Sequence, residues 1–338
     1  MIEAMFYHKI DDTNIQCDLC PHHCKLKNNQ FGICRVRQNL SAKLYSLVYG
    51  RSIATHVDPI EKKPLFHVAP GSKSFSMATA GCNFKCQFCQ NFEISQLRNN
   101  VDLQQIGQDI TPEEIVASAK HFGCASIAYT YTEPTIYFEY AYETAKLANR
   151  QGILNVFVSN GYINEEPLHF MKDYLNALNV DLKSFRDAFY KKYVGARLSP
   201  VLDSLRIMKK LNFWIEITTL VIPSKNDSKQ ELTDIATFII TELGPETPWH
   251  ISRFYPQYKF SHYPPTPIST LKDAYKIGKD QGLRYVYLGN VRGEKAENTY
   301  CYQCGELLIE RHGYQIVQYN LKSGACKYCQ TPLDGLKL

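Results

Sequence analysis

The 338-residue sequence contains no apolar run approaching the length of a membrane span and no run of lysine or arginine. A spanning helix needs about 20 consecutive apolar residues, so no membrane partner is expected. The net charge of +5 is mild, which fits a slightly basic surface better than a nucleic-acid platform. The opening stretch MIEAMFYHKIDDTNIQC has neither the apolar centre of a secretory signal nor the character of a basic amphipathic presequence, so a cytoplasmic protein is expected. Internal repeats and low-complexity segments are absent as well. With 44% hydrophobic and 21% charged residues, the composition argues against global disorder and suffices for one large core with small appendages.

Cysteine, by contrast, is abundant. Twelve are present, and a cytoplasmic chain rarely uses them for disulfides, so clusters point to metal ligands or catalysis. At this frequency roughly 0.4 C-x-x-C pairs are expected by chance. Four occur: Cys17/Cys20, Cys86/Cys89, Cys301/Cys304 and Cys326/Cys329. The triplet Cys82, Cys86 and Cys89, spaced C-x3-C-x2-C, has a chance expectation on the order of 0.01 to 0.02 per chain of this size.

Three zones are predicted: a cysteine-rich segment over 1–62, a core over 63–292 and a C-terminal knuckle over 293–338. In the core, strand-like runs (74–80, 125–129, 153–159, 177–182, 213–221, 249–254, 284–289) alternate with helix-like ones (112–122, 135–151, 164–173, 198–211, 228–242, 269–281). Pro112–Glu113 and Asp227–Ser228 are helix-start signals. Parallel strands need crossovers, so this alternation predicts an α/β fold with a parallel sheet or barrel. Such folds carry their chemistry where strands run out into helices. There lie the cysteine triplet, Glu133, Asn160–Gly161, Asp181 with Lys183, and His250 with Arg253.

A structural zinc takes four protein ligands, and so does an ordinary cubane cluster. Three cysteines in one loop leave an iron open for a substrate or cofactor. The bland alternative is a zinc knuckle completed by Cys124 or a histidine. Cys124 is otherwise a free core thiol.

The triplet, with an aromatic residue (Phe88) before its third cysteine, resembles the signature loop of the radical S-adenosylmethionine (SAM) enzymes. The likeness runs over about residues 65–292. It implies a partial (β/α)6 barrel, here with small cysteine-rich N- and C-terminal metal-binding appendages. It also implies a [4Fe–4S] cluster on Cys82, Cys86 and Cys89 whose open iron chelates SAM. One electron then cleaves SAM to a 5′-deoxyadenosyl radical that abstracts hydrogen.

NVDLKSF and WHISRFYP are most similar to the pyruvate formate-lyase activating enzymes. That resemblance implies Phe88 against the adenine and Glu133 on the methionine amino group. Ser159, Asn160, Asp181, Lys183 and His250 would line the rest of the SAM site. Tyr131 and Thr132 stand where relatives carry two glycines, and Val158 where activases carry an Asp. Taken singly, Glu133 and Lys183 could be a structural ion pair, His250 a core histidine, and Asn160–Gly161 a simple turn.

LCPHHC followed by FGICRVR resembles the leader of the radical enzyme of the AmmeMemoRadiSam system. Its Cys17, Cys20, Cys24 and Cys34 would hold zinc or an auxiliary cluster, with His22 or His23 able to replace one thiol. Cys301, Cys304, Cys326 and Cys329 are spaced like a zinc ribbon or rubredoxin knuckle, for zinc or iron. The expected partners are a reductant such as flavodoxin or ferredoxin and, in an activase-like reaction, a protein substrate. Modification of a small molecule is one alternative. A non-catalytic zinc-binding adaptor is the other.

Overall fold

Runs such as SIAY and LNVFVS are apolar without alternation and bury both strand faces, as in a parallel sheet covered on each side. The computed structural model describes residues 1–97, 102–103, 105–291, 293 and 295–338. Arg292, the last residue of the expected core zone, lies outside them. Eight strands form the main sheet: β1 Ala54–Pro59, β2 Lys73–Ala78, β3 Ser126–Tyr129, β4 Leu154–Ser159, β5 Ala177–Asp181, β6 Trp214–Val221, β7 Trp249–Arg253 and β8 Val286–Gly289. Their spatial order is their chain order. Strands β2 to β8 run parallel, and β1 returns antiparallel along β2.

Six crossovers carry the helices α1 Pro112–His121, α2 Phe138–Arg150, α3 Glu165–Met171, α4 Ser199–Lys210, α5 Lys229–Phe238 and α6 Ile268–Asp280. Six strand–helix units and a last strand make the expected partial barrel, open between β1 and β8 among the described residues. No helix among the described residues is long and apolar enough to cross a membrane.

The helix starts follow local chemistry. Thr111 accepts from the Glu114 amide at 3.2 Å while Glu114 accepts from the Thr111 amide at 2.7 Å, a reciprocal cap ahead of Pro112. Ser228 caps α5 by accepting from the Glu231 amide. Two expected helices change type at one end. The one over 135–151 opens with a 3-10 turn, Pro134–Tyr137, and the one over 228–242 ends in a π turn, Ile239–Leu243.

Register decides what faces the barrel interior. Asp181 pairs with Thr218, Thr218 with His250 and His250 with Tyr287, so one row crosses β5 to β8 on one face. Asn179 and Glu216 sit two residues earlier on that same face.

Small antiparallel sheets flank the barrel. At the N-terminus, strands Ile2–Glu3, Arg37–Leu40 and Lys43–Ser46 form one sheet, and Tyr7–Lys9, Ile15–Cys17 and Lys25–Leu26 another. At the C-terminus, Thr299–Tyr300, Leu307–His312 and Gln315–Tyr319 form a third. This last sheet is bolted to the barrel by buried Arg311, which donates to the Phe66 carbonyl at 2.9 Å and to Thr299 at 2.8 Å. Asp334 binds Arg284 at 2.9 Å, and its carbonyl meets His67 Nδ1 at 2.7 Å.

Candidate active site

The loop after β2 carries the cysteine triplet. Its backbone is pinned from across the barrel: the Lys85 and Gln87 amides donate to the Val194 and Tyr193 carbonyls at 2.7 and 2.9 Å. These acceptors belong to a π-helical turn, Tyr190–Val194. Asn160 donates to Asn83 at 2.8 Å and reaches Cys82 Sγ at 3.9 Å. Cys89 Sγ meets Ser95 Oγ at 3.2 Å. Burial holds the Cys82 thiol well above its ordinary pKa and pushes Cys86 up to about 12. Both therefore keep their protons near neutrality unless a cation replaces them.

One cavity of about 430 Å³, within the usual range for small-molecule sites, joins the three cysteines to Phe88, Glu133, Ser159, Asn160, Asp181, Lys183 and His250. Gly161 and Arg253 do not line it, and Arg253 Nε donates instead to the Thr266 carbonyl at 2.8 Å. Phe88 borders it and packs against Phe189 and Phe260, with ring centroids 5.8 and 5.7 Å away. Glu133 is buried. Its Oε1 accepts from Ser159 Oγ (2.8 Å) and from the Thr135 hydroxyl and amide (2.7 and 3.1 Å), and its Oε2 accepts from the Asn160 amide at 2.7 Å. Burial raises the Glu133 pKa despite these donors. Oε2 retains acceptor capacity toward the cavity.

Lys183 Nζ lies 2.8 Å from Asp181 Oδ2. Burial alone would lower the lysine pKa, but the Asp181 carboxylate outweighs it and holds Lys183 above its ordinary value. His250 borders the cavity too, with Nε2 2.6 Å from buried Glu216 and its ring stacked on Tyr287. Glu216 also accepts from the Phe66 and His67 amides and from the Trp214 indole. His250 is thus anchored in a core network as well as facing the site.

A second polar group, of which Lys62, Lys63 and Tyr131 border the cavity, escaped the sequence reading. Asp58 accepts from Lys63 (2.6 Å), Lys62 (2.8 Å), Ser76 (2.8 Å) and the Tyr131 hydroxyl. Lys63 is buried, with Nζ 4.6 Å from the centre of the Tyr131 ring. Burial lowers its pKa to about 8 against the pull of Asp58. The signal in the sequence was the DPIEKKP run, placed just before the first parallel strand.

Cys124 does not complete a knuckle with the triplet. It precedes β3, whose Ser126 pairs with Ser74 at the start of β2, whereas the triplet follows the other end of β2. At about 3.3 Å per residue, the length of a strand separates them. The C-terminal cysteines do converge. Cys301 and Cys329 Sγ lie 3.6 Å apart, Cys304 and Cys326 3.8 Å, and all four sulfurs fall within 4.8 Å of one another. A tetrahedral ion with metal–sulfur bonds of about 2.3 Å needs sulfurs about 3.8 Å apart, so this site fits a single zinc or iron. Among the described residues no other group of three or more potential ligands is that compact. The core triplet is therefore spaced too widely for a mononuclear ion.

Residues 77–238 match the family described as the Radical SAM superfamily. The chain is 45% identical over 336 residues to the uncharacterized protein MJ0808 of Methanocaldococcus jannaschii, covering 99% of each chain. It is 21% identical over 165 residues to the pyruvate formate-lyase-activating enzyme of Clostridium pasteurianum, covering 47% of this chain and 66% of that one. A radical SAM methyltransferase structure from Sphaerobacter thermophilus superposes with a TM-score of 0.52 at 14% identity, over 70% of this chain and 71% of that one. Residues 77–238 form a radical SAM domain.

As a radical SAM enzyme it is expected to use a [4Fe–4S] cluster and SAM, and the residues present fit both. The triplet offers three thiols at a spacing wider than one ion allows. The cavity beside them has the volume of a small-molecule site and sets a buried carboxylate and a paired lysine on its wall.

Proposed function

We propose that this protein is an activating-enzyme-like radical SAM enzyme that abstracts hydrogen from a partner protein after reductive cleavage of SAM. The observation carrying this reading is the single cavity that unites the cysteine triplet with Glu133, Asp181 and Lys183 at the strand ends. When bound, the reduced cluster supplies the electron that cleaves the sulfonium.

In this reading Cys82, Cys86 and Cys89 hold the cluster, and Glu133 takes the SAM ammonium at its less occupied oxygen. Lys183, kept charged by Asp181, faces the carboxylate. Phe88 covers the adenine, while Ser159 and Asn160 fix Glu133 and the Cys82 loop through the bonds described above. Glu216 orients His250 at the edge of the site. The leader LCPHHC…FGICRVR and the C-terminal knuckle support a place in the AmmeMemoRadiSam system. A flavodoxin- or ferredoxin-type protein would deliver the electron.

A small-molecule substrate is the second reading. Glu297, Gly313 and Tyr314 of the C-terminal segment border the same cavity and narrow the approach for a protein loop.

The test is anaerobic reconstitution, reduction with dithionite in the presence of SAM, and quantification of 5′-deoxyadenosine beside Cys86→Ala. Product from the wild type and none from the variant is expected. A preparation that binds only zinc and cleaves no SAM would instead establish the adaptor.

A further inference from the structure

The N-terminal cysteines take no part in the site above, yet the fold brings them together. Cys17, Cys20, Cys24 and Cys34 border one enclosed void in which about 20 Å³ remain, room for a water-sized sphere. Four sulfurs about 2.3 Å from a zinc ion would leave no such space. Nor do these sulfurs reach the mutual 4.8 Å seen in the C-terminal group, among the described residues. The two tetracysteine sites of this chain differ in size.

The histidines beside them are engaged elsewhere. His22 Nε2 lies 2.8 Å from the Asn83 carbonyl oxygen, and His23 Nδ1 lies 3.1 Å from Asp18. That leaves an all-thiol donor set. Arg37 borders the same void, is 2% exposed, and binds Glu139 through both Nη atoms, at 2.9 and 3.2 Å. Its Nε has no hydrogen-bond partner among the described residues. An orphaned, buried guanidinium N–H beside four thiols is the donor that an anionic sulfur centre would satisfy.

We propose that Cys17, Cys20, Cys24 and Cys34 bind a second [4Fe–4S] cluster, with Arg37 as its positioning and charge-balancing residue. The site adjoins the core triplet. A Cβ on Gly81, the residue before Cys82, would stand 2.7 Å from the Cys34 carbonyl oxygen, so the two cysteine loops touch through their backbones.

The test is metal and acid-labile sulfide analysis of the anaerobically reconstituted full chain, with Mössbauer spectra. The wild type should hold sulfide for two cubanes, about eight per chain, and Cys82→Ala/Cys86→Ala/Cys89→Ala should retain about four. Cys20→Ser/Cys24→Ser should lose about four irons and four sulfides while keeping the electron paramagnetic resonance signal of the core cluster. In the fully reduced wild type the two signals should broaden one another. Sulfide for only one cubane in the wild type, with a second zinc beyond the C-terminal one, would overturn the proposal. If the triple variant fails to fold, the wild-type sulfide count still decides. The count does not depend on SAM cleavage, so this proposal can fail while the enzymatic reading stands.

Discussion

Tyr131 sits at φ +62°, in the left-handed region that glycine occupies freely and a bulky side chain rarely does. The surroundings hold it there. The Tyr131 hydroxyl donates to Asp58, its ring lies under Lys63, and its carbonyl accepts from Asn91 at 2.8 Å. Lys63, lowered by burial to about 8, binds fewer protons in the folded chain than in the unfolded chain between about pH 8 and 10. Stability therefore rises with pH across that window through this group, by at most about 1.4 kcal/mol per pH unit. Lys63→Met should remove that rise. The wild-type advantage over the variant in denaturant midpoint should grow from pH 8 to 10, and a constant difference would show that the lysine pKa is not depressed. Glu133→Gln tests the carboxylate two residues beyond Tyr131 along the same loop. An amide must turn an N–H toward a donor that the carboxylate now accepts, costing about 1–3 kcal/mol. Calorimetry should show weaker SAM binding together with that loss of stability.

Among the elements, the loop after β2 depends on a position that tolerates no side chain. Gly81 has φ +94°, and an added Cβ would stand 2.7 Å from both the Cys34 carbonyl oxygen and Val36 Cγ1. Gly81→Ala should cost more than about 1 kcal/mol, because backbone strain and a backbone clash add. Urea titration should show it, and cluster loading at the triplet should fall as the Cys34 loop is pushed away. The parallel strands were legible in the sequence because a strand buried on both faces reads as an unbroken apolar run, and the caps at Thr111 and Ser228 because they act within one turn. What the sequence concealed is what joins distant segments. Nothing in FYKKYV announces a π turn, and its role comes from Val194 and Tyr193 accepting bonds from the cysteine loop. Asp58 and Lys63 share one run, but they meet Tyr131 only because β1 folds back along β2 and β2 pairs with β3. His250 lies on β7 and borders the cavity, but its partner Glu216 lies on the neighbouring strand, and only register reveals that pairing.

At the scale of the whole molecule, the C-terminal knuckle forms part of the wall of the cavity. Its two C-x-x-C turns close around one ion site, and the hairpin between them brings Gly313 and Tyr314 to the cavity edge. Arg311 ties that hairpin to the barrel. Its guanidinium lies 3.9 Å from Glu61 and 4.2 Å from the Phe66 ring centre, with both partners buried. Metal binding by such a knuckle supplies much of its folding energy, whereas the barrel sheet has its own large apolar core. Removing the ion should therefore loosen one wall without unfolding the barrel. Cys304→Ser/Cys329→Ser should speed hydrogen exchange across residues 299–326 and leave β4 to β6 protected. The cavity should become more open, so the rate of SAM cleavage without substrate should rise relative to the coupled reaction. Unchanged exchange in 299–326 would mean that the Arg311 and Asp334 contacts hold the knuckle without metal. The ion would then be dispensable to the shape of the site, and substrate selection would have to rest on the barrel walls alone.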